Sequence, residues 1–298
     1  MSRWTKALLS CALLVFLPAF AEAQADPAAR ASNQPVAPYR IAGNLYYVGA
    51  SDVTSFLIAT PQGLILLDGG FVETAPLIER NLAQLGFKLT EVKILLSSHA
   101  HCDHAGGLAE LKKKSGAKLY AGAGDVEILR RGGRGDFAFG DRFRFPPVTV
   151  DHPVHDGEPV SLGGTTLTAH ATPGHTRGCT SWSMPVEEGG KRYDVVFVGS
   201  TTINPGVRLV DRPSYPGIAA DYAKSFATLK SLPCDIFLAA HASFYDGLQK
   251  AARLRQAAGR AGAPNPFIDP QGYKAFLAQT EKAYGKRLAG EQTAAKKP

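Results

Sequence analysis

The chain has 298 residues, 45% hydrophobic and 20% charged, with a formal net charge of +7. That length suits one large α/β domain, and after the first two dozen residues no stretch is apolar enough to span a membrane. The positive surplus is dispersed apart from Arg130-Arg131-Gly132-Gly133-Arg134 and Lys296-Lys297, with no aromatics interleaved, so it argues for a solvated surface and against a nucleic-acid partner.

The chain opens with Arg3 and Lys6, then a largely apolar run from Ala7 to Phe20, then Ala21-Glu22-Ala23. A positive start, an apolar middle and a small-x-small site predict a cleaved signal peptide over residues 1–23. An uncleaved anchor is the alternative, but the apolar run is short and broken by Ser10 and Pro18. Cys11 lies too early in the run for lipid attachment. Export and no stable membrane insertion after cleavage are therefore expected. Residues 24–38 are polar and Ala/Pro-rich, which predicts a mobile N-terminal segment, and residues 39–298 are expected to form a single domain.

Short strands are expected at Leu45 to Val48, Ser55 to Ala59 and Leu64 to Leu67, and a helix at Ala75 to Leu85, where Leu77, Ile78, Leu82 and Leu85 recur at helical spacing. Val92 to Leu96 reads as a strand and Gly106 to Lys114 as a helix. Lys118 to Ala121 is a strand and Val126 to Arg131 a helix. The Gly/Arg/Phe-rich stretch from Gly132 to Phe145, with Phe137 and Phe139, is either a lid or a surface loop. Further strands fall at Val160 to Leu162, Thr165 to Ala171, Thr180 to Met184, Val195 to Val198 and a run ending at His241. Helices fit Asp221 to Ser231, Gly247 to Ala258 and a last segment carrying Tyr273, Phe276, Leu277, Thr280 and Tyr284 on one stripe. Strands alternating with helices in both halves predict two packed sheets with helices outside.

The most informative stretch is Ser97-Ser98-His99-Ala100-His101-Cys102-Asp103-His104-Ala105-Gly106-Gly107. Three imidazoles and a carboxylate are the donors that zinc-like ions take. Packed this tightly, the four do not all close around one tetrahedral ion, so distant residues must complete an open, two-metal site. The chain has eight histidines. His175, in Thr172-Pro173-Gly174-His175-Thr176-Arg177-Gly178, and His241, after Ile236-Phe237-Leu238-Ala239-Ala240, stand beyond strand ends, where ligands converge on one sheet edge. His152, His155 and His170 read as ordinary surface or core histidines. Cleavage leaves three cysteines, Cys102, Cys179 and Cys234. The first and second lie in the metal loops as ligands or as small fillers, with no disulfide expected.

His99-x-His101-x-Asp103-His104, followed in order by Gly174-His175-Thr176 and His241, resembles the metallo-β-lactamase superfamily over about Leu45 to Pro270. The resemblance implies a four-layer αβ/βα sandwich with two mixed sheets. Superfamily chemistry varies, and one position discriminates. Glyoxalase II enzymes, lactonases and nuclease-type members carry a bridging aspartate after a strand like Val195-Val196-Phe197-Val198-Gly199, and the first β-lactamase subclass has a cysteine there. Here Ser200 stands in that place, which, with His104, Arg208-Leu209-Val210 through Ile218, and Ala263 through Phe267, is similar to the third subclass (B3) of zinc β-lactamases.

That resemblance implies two Zn2+ ions per chain: His99, His101 and His175 for the first, Asp103, His104 and His241 for the second. It further implies a monomeric periplasmic hydrolase opening the β-lactam amide of penicillins, cephalosporins and carbapenems through zinc-bound hydroxide, and so antibiotic resistance. Asp103 would also orient the nucleophile and handle its proton. Asp68 would support a histidine ligand from behind, or else cap a turn before Gly69-Gly70. Ser200 and Thr202 are candidates for the substrate carboxylate or an ordered water, or ordinary loop hydroxyls. Two rivals remain: a thioester or lactone hydrolase using the same ions, and a non-catalytic zinc-dependent binding protein.

Overall fold

The computed structural model describes residues 27–260 and 262–296, so the expected signal peptide lies outside the described residues. Two mixed sheets face one another. The first runs in chain order as β1 (Tyr39–Ala42), β2 (Leu45–Tyr47), β3 (Phe56–Thr60), β4 (Gly63–Leu67), β5 (Val92–Leu96), β6 (Lys118–Gly122) and β7 (His152–Val154). It is antiparallel up to β4 and parallel from β4 to β7. The second holds β8 (Pro159–Leu162), β9 (Thr165–Ala171), β10 (Thr180–Glu188), β11 (Lys191–Val198) and β12 (Ile236–Ala239) in the spatial order β12-β11-β10-β9-β8, with only β11 and β12 parallel. The helices are α1 (Pro27–Ser32), α2 (Thr74–Gln84), α3 (Cys102–Ala105), α4 (Leu108–Ser115), α5 (Val126–Arg130), α6 (Ile218–Ser231), α7 (Gly247–Ala257) and α8 (Pro270–Ala295).

Alternation along the central strands explains the layers. Phe56, Ile58, Ile65, Leu67, Ile94 and Leu96 point into the core between the sheets. Leu57, Leu64, Leu66 and Leu95, one position out of phase, point outward into a second core with Ile78 and Leu82 of α2 and Leu108 and Leu111 of α4. A parallel strand covered on both faces must be apolar at every position, as Leu64-Ile65-Leu66-Leu67 is. On the far side, Phe237 of β12 packs against Tyr273 and Phe276 of α8 at centroid distances of 5.3 and 4.9 Å. Asp269 starts α8 by accepting the Gly272 amide at 2.9 Å, with Pro270 in the first turn. Among the described residues no helix is long and apolar enough to cross a membrane.

Residues 27–38 are more anchored than their composition predicts. Ser51 and Asp52 donate backbone amides to Gln34 and Ser32 at 2.8 Å, and Thr74 Oγ1 donates to Asn33 Oδ1 at 2.7 Å. Backbone bonds of this kind leave no mark in side-chain polarity. The stretch from Gly132 to Phe145 is a compact loop pinned at its base, where Phe145 donates its amide to Gly132 O at 3.1 Å and buries its ring.

Candidate metal centre

Strand β5 ends at Leu96, and the chain turns over the edge of the sandwich. Ser97 donates its amide to Tyr120 O of β6 at 3.0 Å. Asp68, at the end of β4, accepts the Ser98 amide at 2.7 Å and the Ser98 hydroxyl at 2.6 Å. Asp68 sits at φ +63°, a left-handed conformation held by its amide bond to Leu96 O at 2.9 Å and by Ser55 Oγ donating to its carbonyl at 2.7 Å. His99 and His101 follow in extended backbone, and His101 opens the one-turn helix α3, which carries Asp103 and His104. His175 comes from the loop between β9 and β10. His241 comes directly after β12 and Ala240. All five segments end at the same edge.

There the six expected donors meet. His101 Nδ1 lies 3.0 Å from His175 Nε2, and the His99 ring is 5.0 and 4.7 Å from those two rings, edge-on. His104 Nε2 lies 3.4 Å from His241 Nε2, and Asp103 Oδ2 is 3.3 and 3.6 Å from those nitrogens. His99 bridges the two halves, because its donor lies within 4.8 Å of those of His101 and His175 and also of those of Asp103 and His104. Ligands about 2.05 Å from a tetrahedral zinc-like ion stand about 3.3 Å apart, so both triads are spaced to accept one. The residues fit the metal that the donor chemistry implies.

Three of the five histidines are hydrogen-bonded from behind, and the other two face a carboxylate. His99 Nδ1 meets Ser98 Oγ at 3.0 Å, and that hydroxyl donates onward to Asp68. His175 Nδ1 donates to Thr202 O at 2.8 Å. His241 Nδ1 reaches Asp52 Oδ2 at 3.1 Å. His104 Nδ1 faces Asp68 Oδ2 at 3.5 Å, and His101 Nε2 faces Asp136 Oδ2 at 3.7 Å, both without a hydrogen bond. A hydrogen-bonded partner at one ring nitrogen fixes the tautomer and orients the other nitrogen. Asp68 thus stands behind two histidines, through the Ser98 hydroxyl at His99 and facing His104. Ser200 and Thr202 are engaged with the protein: Ser200 Oγ lies 3.1 Å from Thr202 Oγ1, which is itself 3.1 Å from His175 Nδ1. Their contacts are those of a support for His175.

Burial, followed by the neighbouring imidazoles, drives His99 far below the ordinary histidine range, and burial followed by His101 takes His175 down to about 3. Both remain neutral, with a lone pair free, at any physiological pH. Burial would lower His104 as well, but the Asp103 carboxylate outweighs it and pushes His104 up to about 10. Asp103, despite burial, is held well below the carboxylate range by His104 and then His241. An arriving cation must therefore displace a proton at the second triad.

Three carboxylates that the sequence did not single out complete the centre: Asp52, Asp136 and Asp125. Asp125 accepts the Ala100 amide at 2.9 Å, the Thr176 hydroxyl at 2.7 Å and the Gly178 amide at 2.7 Å, tying the His99–His101 loop to the His175 loop. Cys102, Cys179 and Cys234 are free thiols. Burial pushes Cys179 up to about 12, and its Sγ faces Ser200 O at 3.7 Å, so the filler role fits it. His152 pairs with Glu158 and His170 with Ser183, away from the cluster.

Residues 48–241 match the family model of the metallo-β-lactamase superfamily. Among solved structures, the native FEZ-1 metallo-β-lactamase of Legionella gormanii is 45% identical, with 88% of this chain and 98% of that chain aligned at a TM-score of 0.84. BJP-1 of Bradyrhizobium japonicum, a subclass B3 metallo-β-lactamase, is 40% identical over 89% and 98%, at 0.80. Among curated sequences, a hydroxyacylglutathione hydrolase of Maricaulis maris is 29% identical over 188 residues, 61% of this chain and 59% of that protein. The chain thus spans less than two thirds of the length of that relative. All six converging side chains fall within the stretch the family model covers, on a sandwich shared along nearly the full length of solved members, and the chain belongs to the metallo-β-lactamase superfamily.

Proposed function

We propose that this protein is an exported zinc β-lactamase of the B3 kind, opening the four-membered amide of penicillins, cephalosporins and carbapenems. The observation that carries the reading lies just past the end of β11. Ser200 stands there, buried and bonded to Thr202, with a hydroxyl at the position where a thioester hydrolase would carry its bridging carboxylate. The thioester-hydrolase reading, which the curated relatives' names favour, calls for an acidic residue at that place. Alignment along 98% of two β-lactamases, against 59% of a hydroxyacylglutathione hydrolase, points the same way.

In this reading His99, His101 and His175 hold one zinc, and Asp103, His104 and His241 the other. Bound zinc supplies a Lewis acid for the carbonyl and a water acidic enough to ionise near neutral pH. The chain's own contribution is preorganisation. His99 and His175 are kept neutral by burial, and Ser98, Thr202 and Asp52 hold three rings against rotation. Asp103, the only carboxylate among the six donors, takes the proton lost by the attacking water and passes it to the amide nitrogen as the C–N bond breaks. No side chain forms a covalent intermediate. Phe139, edge-on to His101 at 5.0 Å, and Phe137, against Tyr215 at 4.9 Å, make the loop of residues 132–145 an apolar wall beside the centre.

The test uses purified chain supplied with zinc. It should hydrolyse a chromogenic cephalosporin, a penicillin and a carbapenem, and lose all three activities to a chelator. His175→Ala should bind one zinc fewer by metal analysis and lose activity steeply. Cleavage of a hydroxyacylglutathione thioester with every β-lactam untouched would overturn the assignment. Export is checked by fractionating cells that express the full chain, with periplasmic recovery and a mature N-terminus at Gln24 expected.

A further inference from the structure

His101 differs from the other ligand histidines in where the acceptor behind it comes from. Its Nδ1 faces His175, so its Nε2 points out of the donor set, and that atom, like His104 Nδ1, is buried without a hydrogen-bond partner. The acceptor facing it is Asp136 Oδ2, at 3.7 Å, on a side chain only 6% exposed. The residues bracing His99, His104, His175 and His241 belong to strand ends and the segments beside them. Asp136 belongs to the loop of residues 132–145.

The same carboxylate organises that loop. Asp136 Oδ1 accepts the amides of Ala138 at 2.8 Å and Phe139 at 2.9 Å, and the backbones of Asp136 and Gly140 exchange hydrogen bonds of 3.2 and 2.8 Å. These bonds hold the Phe139 ring against His101. One oxygen therefore sets the tip of the loop while the other faces the back of a metal ligand. A ring that coordinates through Nδ1 must carry its proton on Nε2, and this N–H is the donor that the buried pair requires.

We infer that Asp136 is a positioning residue that couples the loop of residues 132–145 to metal binding: it accepts the His101 Nε2 proton, fixes Nδ1 as the coordinating atom, and makes order in the loop depend on the ion. The inference rests on the proposed role of His101 as a ligand. By linkage the coupling runs both ways, so an ordered loop tightens metal binding as much as metal orders the loop.

The experiment adds zinc alone to metal-stripped full-length chain, reading affinity by competition with a chromophoric chelator and loop order by hydrogen exchange of the Ala138, Phe139 and Gly140 amides. In the wild type, zinc should slow exchange at these amides at least about tenfold. Asp136→Asn, which retains an oxygen for the loop amides, should weaken the tighter zinc by about 10- to 100-fold. It should also abolish the zinc dependence of exchange while circular dichroism stays unchanged. His101→Ala, still able to bind at the second triad, should lose that dependence too. Wild-type affinity and wild-type protection in Asp136→Asn, or zinc-dependent protection persisting in His101→Ala, overturns the inference alone. A wild-type chain that binds no zinc overturns the hydrolase reading together with it.

Discussion

Asp125 offers the sharpest test of how the centre is assembled. It is 1% exposed, lies at the end of the short turn after β6, and accepts three hydrogen bonds from two loops that carry ligands. Ala100 sits between His99 and His101, and Thr176 follows His175, so this one carboxylate sets the spacing of the first triad. The loops meet backbone to backbone. A Cβ added at Gly178 would fall 2.2 Å from the Asp125 amide nitrogen, so neither loop can slide to compensate for a lost bond. Asp125→Ala strands two buried amides, while the Thr176 hydroxyl can rotate to another acceptor. At about 1–3 kcal/mol for each stranded donor, the loss is about 2–6 kcal/mol. Asp125→Asn costs less, about 1–3 kcal/mol, because it replaces one acceptor oxygen with a donor. It also removes a charge that burial already disfavours, since burial raises the Asp125 carboxyl in spite of its three bonds. Urea denaturation of metal-free protein should rank wild type above Asn and Asn above Ala, and competition titration should show first-triad zinc affinity falling in the same order. Identical midpoints and affinities for wild type and Asp125→Ala would refute the argument.

Two further outcomes follow from the same geometry. Asp52→Ala frees His241 Nδ1 and the Ser243 amide, so zinc at the second triad should weaken by about 10- to 100-fold, whereas the denaturation midpoint should shift little because the Asp52 side chain is 31% exposed. Chelator competition reads the first effect and urea the second, and unchanged affinity would contradict the assigned brace. Asp269 is held below its ordinary 3.8 by its bond to the buried Lys250 ammonium, with the Gly272 amide assisting against burial. A depressed carboxylate stabilises the fold above its unfolded value and loses that contribution as the pH falls through the folded value. Asp269→Asn, which still caps α8, should therefore cost about 0.5–1 kcal/mol at pH 7 and progressively less below pH 4. A gap that persists undiminished at pH 2 in denaturation curves would contradict this.

The fold was legible where one chemical rule decides the element. Val92–Leu96 falls where its apolar run places it, and Thr165–Ala171 where its threonines alternate with the buried Leu167 and Ala169. The elements that were not visible are those at the margins. Strand β7, His152-Pro153-Val154, lies at the sheet edge, where a missing N–H costs nothing, so its proline disguised it. Strands β10 and β11 run on past Met184 and begin before Val195 as a hairpin that buries Val186 but is charged toward its tip, closed by Gly189 and Gly190 at φ +59° and +75°. There Glu187 opposes Arg192 and Glu188 opposes Lys191, while Arg40 reaches Glu188 at 2.8 Å. Charge pairing across strands holds this extension, and a charged stretch read along one strand looks like a loop.

The centre divides along the same line. Four donors lie within six positions, and the other two follow strand-like runs, so the six that converge could be named from the chain alone. The carboxylates behind them could not. Asp52 meets His241 across 189 positions, and Asp125 meets Thr176 across 51. In the sequence Ser51-Asp52, Gly124-Asp125 and Gly135-Asp136 look alike, as turn aspartates beside small residues. Asp68 was the exception because, after an apolar strand and before Gly69-Gly70, it resembles a buried aspartate of the superfamily. Five histidines that are to hold ions would need five partners at their other nitrogens, and ligand chemistry by itself sets that requirement. Which residue meets it is decided by topology, which carried Asp136 to His101 on a loop that composition left open between lid and surface.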